Sequence, residues 1–308
     1  MELPTDIPSF TSEKRTKMVL GIVRSAVDYH DHIMDKYGDP RVKSWLFMSG
    51  PLPTIVMCLT YVFFVKYLGP KLMEKREPFE FKKTMIVYNA IMVIMSAWMF
   101  NEALSFGWLA GYSLTCQPCD FSTSLSAMRI AKVVWWYYFS KFIEFLDTIF
   151  FVLRKKYSQV STLHVIHHAI MPFSTWPGAK FYPGGHVTFC GTVNSFIHIF
   201  MYSYYLLAAF GPEVQKYLWW KKYLTTLQIV QFILVFLHSI QLLFNGCKEV
   251  PIAFAWAIIF HSILFYVLFQ QFYKEAYVEG GKSKTKSLKD KMSFCMPTVP
   301  SNDVHKEQ

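Results

Sequence analysis

The stretch "LHVIHH", Leu163–His168, places three histidines in five positions at the head of a run that otherwise reads as membrane-embedded. On a helix His164, His167 and His168 stand at i, i+3 and i+4, so they share one face. Working outward, the run 163–181 is the fourth of seven apolar stretches near the ~20-residue spanning length. The seven are 45–69, 84–106, 129–153, 163–181, 186–210, 223–244 and 251–273. The first and last are the clearest. Pro172, Pro177, Pro183 and Gly184–Gly185 interrupt the fourth and fifth.

Composition agrees. The 308 residues are 53% hydrophobic and only 17% charged, with mean hydropathy +0.24. A soluble domain carries more charge. The expected fold class is all-α, a polytopic membrane protein of one bundle, with residues 1–44 before it and a basic, disordered tail over 274–308. Residues 14–34 show apolar positions at helical spacing opposite a charged face. They read either as an interfacial helix or as one packed on the bundle. "MELPTDIPSF" has no basic start or apolar centre, so no cleavable signal is expected.

The net charge of +10 does not point to nucleic acid, because the charges fall between apolar spans. The loop after the first span has Lys71, Lys75, Arg76, Lys82 and Lys83. The loop after the third has Arg154, Lys155 and Lys156, and that after the fifth has Lys216, Lys221 and Lys222. The alternate loops offer Arg129, Lys180 and Lys248. The positive-inside rule then puts the N-terminus in the lumen or exterior and the tail in the cytosol.

With that orientation, four spans carry polar residues at one depth, in the cytosolic half of the membrane. "KFIEFLDT" supplies Lys141, Glu144, Asp147 and Thr148, within about 120° of one helical face. The fourth span supplies the three histidines. The fifth supplies Asn194 and His198, followed by Tyr202, Tyr204 and Tyr205, and the sixth Thr225, Gln228 and Gln231. Polar residues inside a membrane are costly and tend to mark function. A polar chamber open to the cytosol is the simplest reading. Lone histidines such as His238 and His261 read as packing residues, and the tyrosines also suit an interfacial belt.

Two chemistries fit the histidines. One is metal binding, as in a membrane oxidase or hydroxylase with histidine boxes. The chain has 10 histidines, but His30, His32, His186 and His305 lie in tails or a far loop, so the ligands run short for two irons. A single zinc with Glu144 or Asp147 remains open. The other is acyl transfer, in which an imidazole accepts an acyl group from a thioester and a second histidine assists a carbon nucleophile. Lys141, Asn194 and Gln228 would stabilise an oxyanion. Arg154, Lys155 and Lys156 would suit a polyphosphorylated carrier. A seven-span receptor or transporter is a third reading.

"KFIEFLDTIFFVLRKK", "LHVIHH", "NSFIHIFMYSYY" and "TTLQIVQ" together resemble the signature blocks of the ELOVL family, elongases of very long chain fatty acids. "GPKLMEKREPFEFKK", "GYSLTC" and "YLWWKKYLTTLQ" match as flanks, and the likeness runs from about residue 40 to 275. The resemblance implies an endoplasmic-reticulum enzyme with seven transmembrane helices, six forming a barrel around an acyl tunnel closed on the lumenal side. It implies condensation of acyl-CoA with malonyl-CoA to 3-oxoacyl-CoA, CO2 and CoA. No metal or other cofactor is implied. The partners would be a 3-ketoacyl-CoA reductase, a dehydratase and an enoyl-CoA reductase, together with membrane lipid and often a second copy of the chain.

Carried onto this sequence, the resemblance implies His167 as the acyl-accepting nucleophile and His198 as its partner in condensation, with His164 and His168 completing the box. Lys141, Glu144 and Asp147 shape the site and its CoA contacts, while Asn194, Tyr205 and Gln228 position substrate. Ile166 departs from the aromatic often found there. Gln159 and Pro172 flank the box as in members acting on saturated and monounsaturated chains. Cys116 and Cys247 match family positions, which implies a disulfide between them in the oxidising lumen. Cys119 is left over. Cys190 lies eight residues before His198 and is a weak alternative nucleophile outside the family blocks. Lys306 in the terminal "HKEQ" weakly resembles a lysine-based retrieval signal.

Overall fold

A computed structural model describes residues 12–279. Of the tail expected over 274–308, the part from 280 on, with Cys295, His305 and Lys306, lies outside the described residues, as does the extreme N-terminus. The described chain is helical with no strand. In chain order, α1 is Ser12–Tyr37, α2 Leu52–Met73, α3 Lys82–Trp108, α4 Leu125–Ile143 and α5 Phe145–Leu153. They are followed by α6 Thr162–Phe181, α7 Thr188–Ala209, α8 Lys221–Leu243 and α9 Ile252–Val278. α9 ends in a π-helical turn, so helix continues past the expected boundary at 273.

Among the described residues four helices are long and apolar enough to cross a membrane, namely α2, α3, α8 and α9. They present apolar side chains outward at helical spacing. Leu52, Val56, Leu59 and Phe63 do so on α2, and Val87, Ile91, Ile94 and Trp98 on α3. Trp256, Phe260, Ile263 and Val267 do so on α9. Such stripes suit an apolar surrounding such as lipid. The expected third, fourth and fifth spans are helices too, but they carry the polar residues that lower their hydropathy.

Local chemistry corrects the boundaries. The first span starts at Leu52 rather than 45. Pro51 and Pro53 lack the N–H that a helix interior requires and fit only its first turn. The third starts at Leu125, where the Ser124 hydroxyl caps it by accepting from Ala127 N at 3.2 Å, and it is interrupted at Glu144. Arg129, counted above as a loop residue, therefore lies inside α4, where it donates to buried Glu102 of α3 at 2.7 Å. Lys180 likewise lies inside α6, at 2% exposure.

α3 packs on α7, α7 on α8, α8 on α9, α9 on α6, α6 on α4 and α4 on α3, while α2 lies on the other side of α6. Tyr61, Tyr138, Phe142, Phe145 and Trp176 fill the core between α2, α4, α5 and α6. Gly69 lets α2 approach α5, since a Cβ there would meet Val152 Cγ1 at 2.7 Å. The first part of α1 stands clear of the bundle, with Met18, Val19, Ile22 and Val23 exposed. Met34 and the fully buried Val42 and Met48 anchor the chain that follows.

Cys116 and Cys247 form a disulfide with Cα atoms 5.7 Å apart, joining loops 131 residues apart in sequence. Cys119 is free and buried, and burial pushes its thiol up to about 12, against a smaller opposing pull from Arg41. A thiol held protonated is inert. Cys247→Ser is expected to cost about 2–5 kcal/mol. In maleimide labelling of the folded chain at neutral pH, reduction should add Cys116 and Cys247, while Cys119 labels only on unfolding. Early labelling of Cys119 would contradict this account of its burial.

Candidate active site

The Ser161 hydroxyl opens α6 by accepting from His164 N at 3.2 Å, so the histidine box occupies the first turns of that helix. The ring centroids of His164 and His168 are 4.4 Å apart, and those of His167 and His168 5.1 Å. Each ring has different surroundings. His164 Nε2 lies 2.9 Å from the Thr148 hydroxyl, which lies 2.8 Å from the Tyr61 hydroxyl. This short relay from α2 through α5 fixes the orientation of His164. His167 packs edge-on against Phe265 of α9 at 5.0 Å and remains half-buried. His168 is buried.

The break at Glu144 presents a second cluster beside the box. Lys141 and Glu144 are each 1% exposed, and the ammonium donates to Glu144 Oε1 at 2.7 Å. The same carboxylate oxygen lies 3.4 Å from His198 Nδ1. Lys141 also donates to Asn194 Oδ1 at 3.3 Å, as does the Tyr137 hydroxyl at 3.0 Å. Asn194 Nδ2 donates to Gln231 Oε1 of α8 at 3.4 Å. One buried network thus joins α4, α7 and α8. Burying an ion pair is tolerable only with such additional hydrogen bonds. The Glu144 contact on Nδ1 orients the His198 ring and leaves Nε2 for other partners. Asp147, also buried, accepts from the Tyr202 hydroxyl at 2.9 Å, and Tyr202 packs edge-on against Tyr88 and His198.

The structure therefore brings together His164, His167, His168, His198, Lys141, Glu144, Asp147 and Asn194. Other expected residues lie apart. Gln228 donates to Met201 Sδ at 3.5 Å, and the α8 glutamine that reaches the cluster is Gln231. Three residues further on, it points its side chain about 60° away from that of Gln228. Tyr205 is 37% exposed and touches Tyr202 and Tyr204, so Tyr202 is the inward tyrosine. Arg154 turns toward Met85 Sδ at 3.1 Å, and Lys156 is exposed. Lys155 lines an open cavity of about 520 Å³ with Pro70, Lys71, Glu74 and Tyr157. The three basic residues do not form one cluster. Tyr61 and Tyr137 carried no signal in the sequence, since each is one aromatic among many.

The groups of three metal-ligand atoms within 4.8 Å of one another do not include the box. Among the described residues the one such group is Cys116, Cys247 and Glu249, where the two sulfurs are bonded to each other.

Residues 46–285 match the family described as ELO: GNS1/SUR4 family. The chain is 60% identical over 253 residues to "Very long chain fatty acid elongase 7" of Drosophila melanogaster, covering 82% of this chain and 77% of that one. It is 52% identical over 246 residues to "Very long chain fatty acid elongase 7" of Rattus norvegicus, covering 80% and 88%. To "Very long chain fatty acid elongase 1" of Homo sapiens it is 42% identical over 264 residues, covering 84% and 92%. By both the extent of the family match and these identities, the chain belongs to the ELO family.

Proposed function

We propose that this protein is a fatty acid elongase that condenses a long-chain acyl-CoA with malonyl-CoA. The observation that carries the reading is the α6 histidine box lying within electrostatic range of the buried Lys141–Glu144–His198 network, in a chain of the ELO family. In this reading all seven expected spans cross the membrane of the endoplasmic reticulum, with the N-terminus lumenal and the tail cytosolic. The packing order α3, α7, α8, α9, α6, α4 returns to its start, which supports six helices enclosing an acyl chain with α2 outside.

The His167 imidazole, without a carboxylate partner, attacks the thioester carbonyl. The C–S bond breaks, the acyl group passes to nitrogen and CoA leaves with a proton. Malonyl-CoA then loses CO2, and the electron pair of the broken C–C bond forms the enolate of the thioester. That carbon attacks the acyl-imidazole, the C–N bond breaks to give 3-oxoacyl-CoA, and the departing imidazole nitrogen takes up one proton from solvent by way of His198, which restores neutral His167. His198, oriented by Glu144, handles the proton, and Lys141 supplies positive charge as the oxyanions form. No metal takes part. Reduction and dehydration fall to separate enzymes.

The test is purified protein in detergent with radiolabelled malonyl-CoA and a panel of acyl-CoAs. Label should be released as CO2 only when acyl-CoA is present, with a product two carbons longer. Failure of folded protein to release CO2 with any chain overturns the reading.

A further inference from the structure

A second group of polar side chains lies away from the cluster, where α3, α7 and α8 meet the loop before α7. His186 and His238 stack with centroids 3.9 Å apart and planes at 15°. Phe189 stacks on the other side of His238, also at 3.9 Å, and Trp108 meets its edge at 5.5 Å. His186 is 1% exposed and His238 8%. Three nitrogens here, Trp108 Nε1, His186 Nδ1 and His238 Nε2, are sealed from solvent and have no hydrogen-bond partner among the described residues. An unpaired buried polar group costs about 1–3 kcal/mol, so three of them on rings that contact one another call for a guest.

The loop is built to hold His186 there. Gly185 has φ +62°, and a Cβ on it would lie 2.7 Å from Cys119 N and Gln117 O. The His186 backbone N–H donates to Gln117 O at 2.8 Å.

The chemistry of the guest follows from the donors and acceptors. His186 Nε2 lies 3.0 Å from the His238 carbonyl oxygen. A carbonyl only accepts, so Nε2 carries the hydrogen and Nδ1 of the neutral ring is an acceptor. The Trp108 indole N–H only donates. The guest must therefore both accept and donate. A hydroxyl does so, whereas a carbonyl, an anion or an ammonium does not. A metal is disfavoured because lone pairs in near-parallel planes 3.9 Å apart cannot converge at the ~2 Å that imidazole ligation needs. We propose that Trp108, His186 and His238 form a buried binding site for one hydroxyl oxygen.

Two sources supply such an oxygen, a water molecule or a hydroxyl at the far end of an acyl chain. The second rests on the elongase reading and on the placement of the two sites. His238 is seven residues along α8 from Gln231, about 10 Å, and Phe189 is nine along α7 from His198, about 14 Å. The same two helices thus carry both sites, and the elongase reading takes a chain held at His167 along them.

The experiment has two arms, both on the full chain. In a high-resolution structure without substrate, one oxygen should lie within about 3 Å of the three nitrogens. In elongation assays, wild type, His238→Phe and Trp108→Phe are compared on unsubstituted acyl-CoAs and on ω-hydroxyacyl-CoAs of matched lengths. A chain hydroxyl as guest predicts that wild type extends one hydroxylated length and that the variants lose it by about 10–100-fold, the effect of an unpaired buried group, while keeping the unsubstituted chains. With the oxygen in place and hydroxylated chains refused by wild type, the guest is water. If no oxygen is found and the variants treat both chain types alike, the site is wrong. If folded wild type extends no chain at all, the elongase reading fails, and the first arm still decides the site.

Discussion

His167→Ala and His198→Ala are each expected to lower elongation by about 10²–10⁴-fold, the range for removing a positioned acid–base or nucleophilic group. The fold should survive. His167 is half-buried at the cluster and holds its place by ring contacts with His168 and Phe265, so truncation removes chemistry more than packing. The surface histidine His32 serves as control, and His32→Ala should run near wild type. Single-turnover labelling separates the two roles. With acyl-CoA alone, wild type and His198→Ala should both retain acyl group on the protein, and His167→Ala should not. Acylation of His167→Ala to the wild-type extent would move the nucleophile elsewhere, with Cys190 the first residue to examine.

Lys141→Met should produce the largest loss of stability. It leaves the Glu144 carboxylate, 1% exposed, without its cation, and breaking one side of a buried pair costs about 3–5 kcal/mol. The double variant Lys141→Met/Glu144→Gln removes both charges and should recover most of that loss, since an uncharged amide still offers a donor to the network. Activity should stay low in both. Thermal unfolding in detergent provides the measurement. A Lys141→Met protein that melts with wild type would mean that the pair is solvated in the membrane-embedded protein and does not hold α4 to α7.

The all-helical fold was readable from the chain because membrane helices announce themselves. A run of apolar residues has few other fates, and proline marks where it begins. The candidate site was readable in part because polar residues in such runs are rare enough to stand out. Helical period then grouped His164, His167 and His168, as well as Lys141, Glu144 and Asp147, onto common faces.

Period says which residues share a face, but not which neighbour the face meets. Gln228 and Tyr205 were the expected positioning residues on α8 and α7, yet Gln231 and Tyr202 make the buried contacts. Only the packing of α8 against α7 turns Gln231 toward Asn194, and only the approach of α5 puts Asp147 beside Tyr202. Arg129 reads as a loop charge until Glu102 of α3 is beside it, because a charge enters a helix interior when its partner arrives through space. His186 and His238 are 52 residues apart and read as a loop residue and a lone packing histidine. The sequence by itself determined the helices and the polar residues set within them, since both depend on local period and polarity. The tertiary structure decided which of those residues meet, because each contact joins helices whose order in space the linear pattern does not encode.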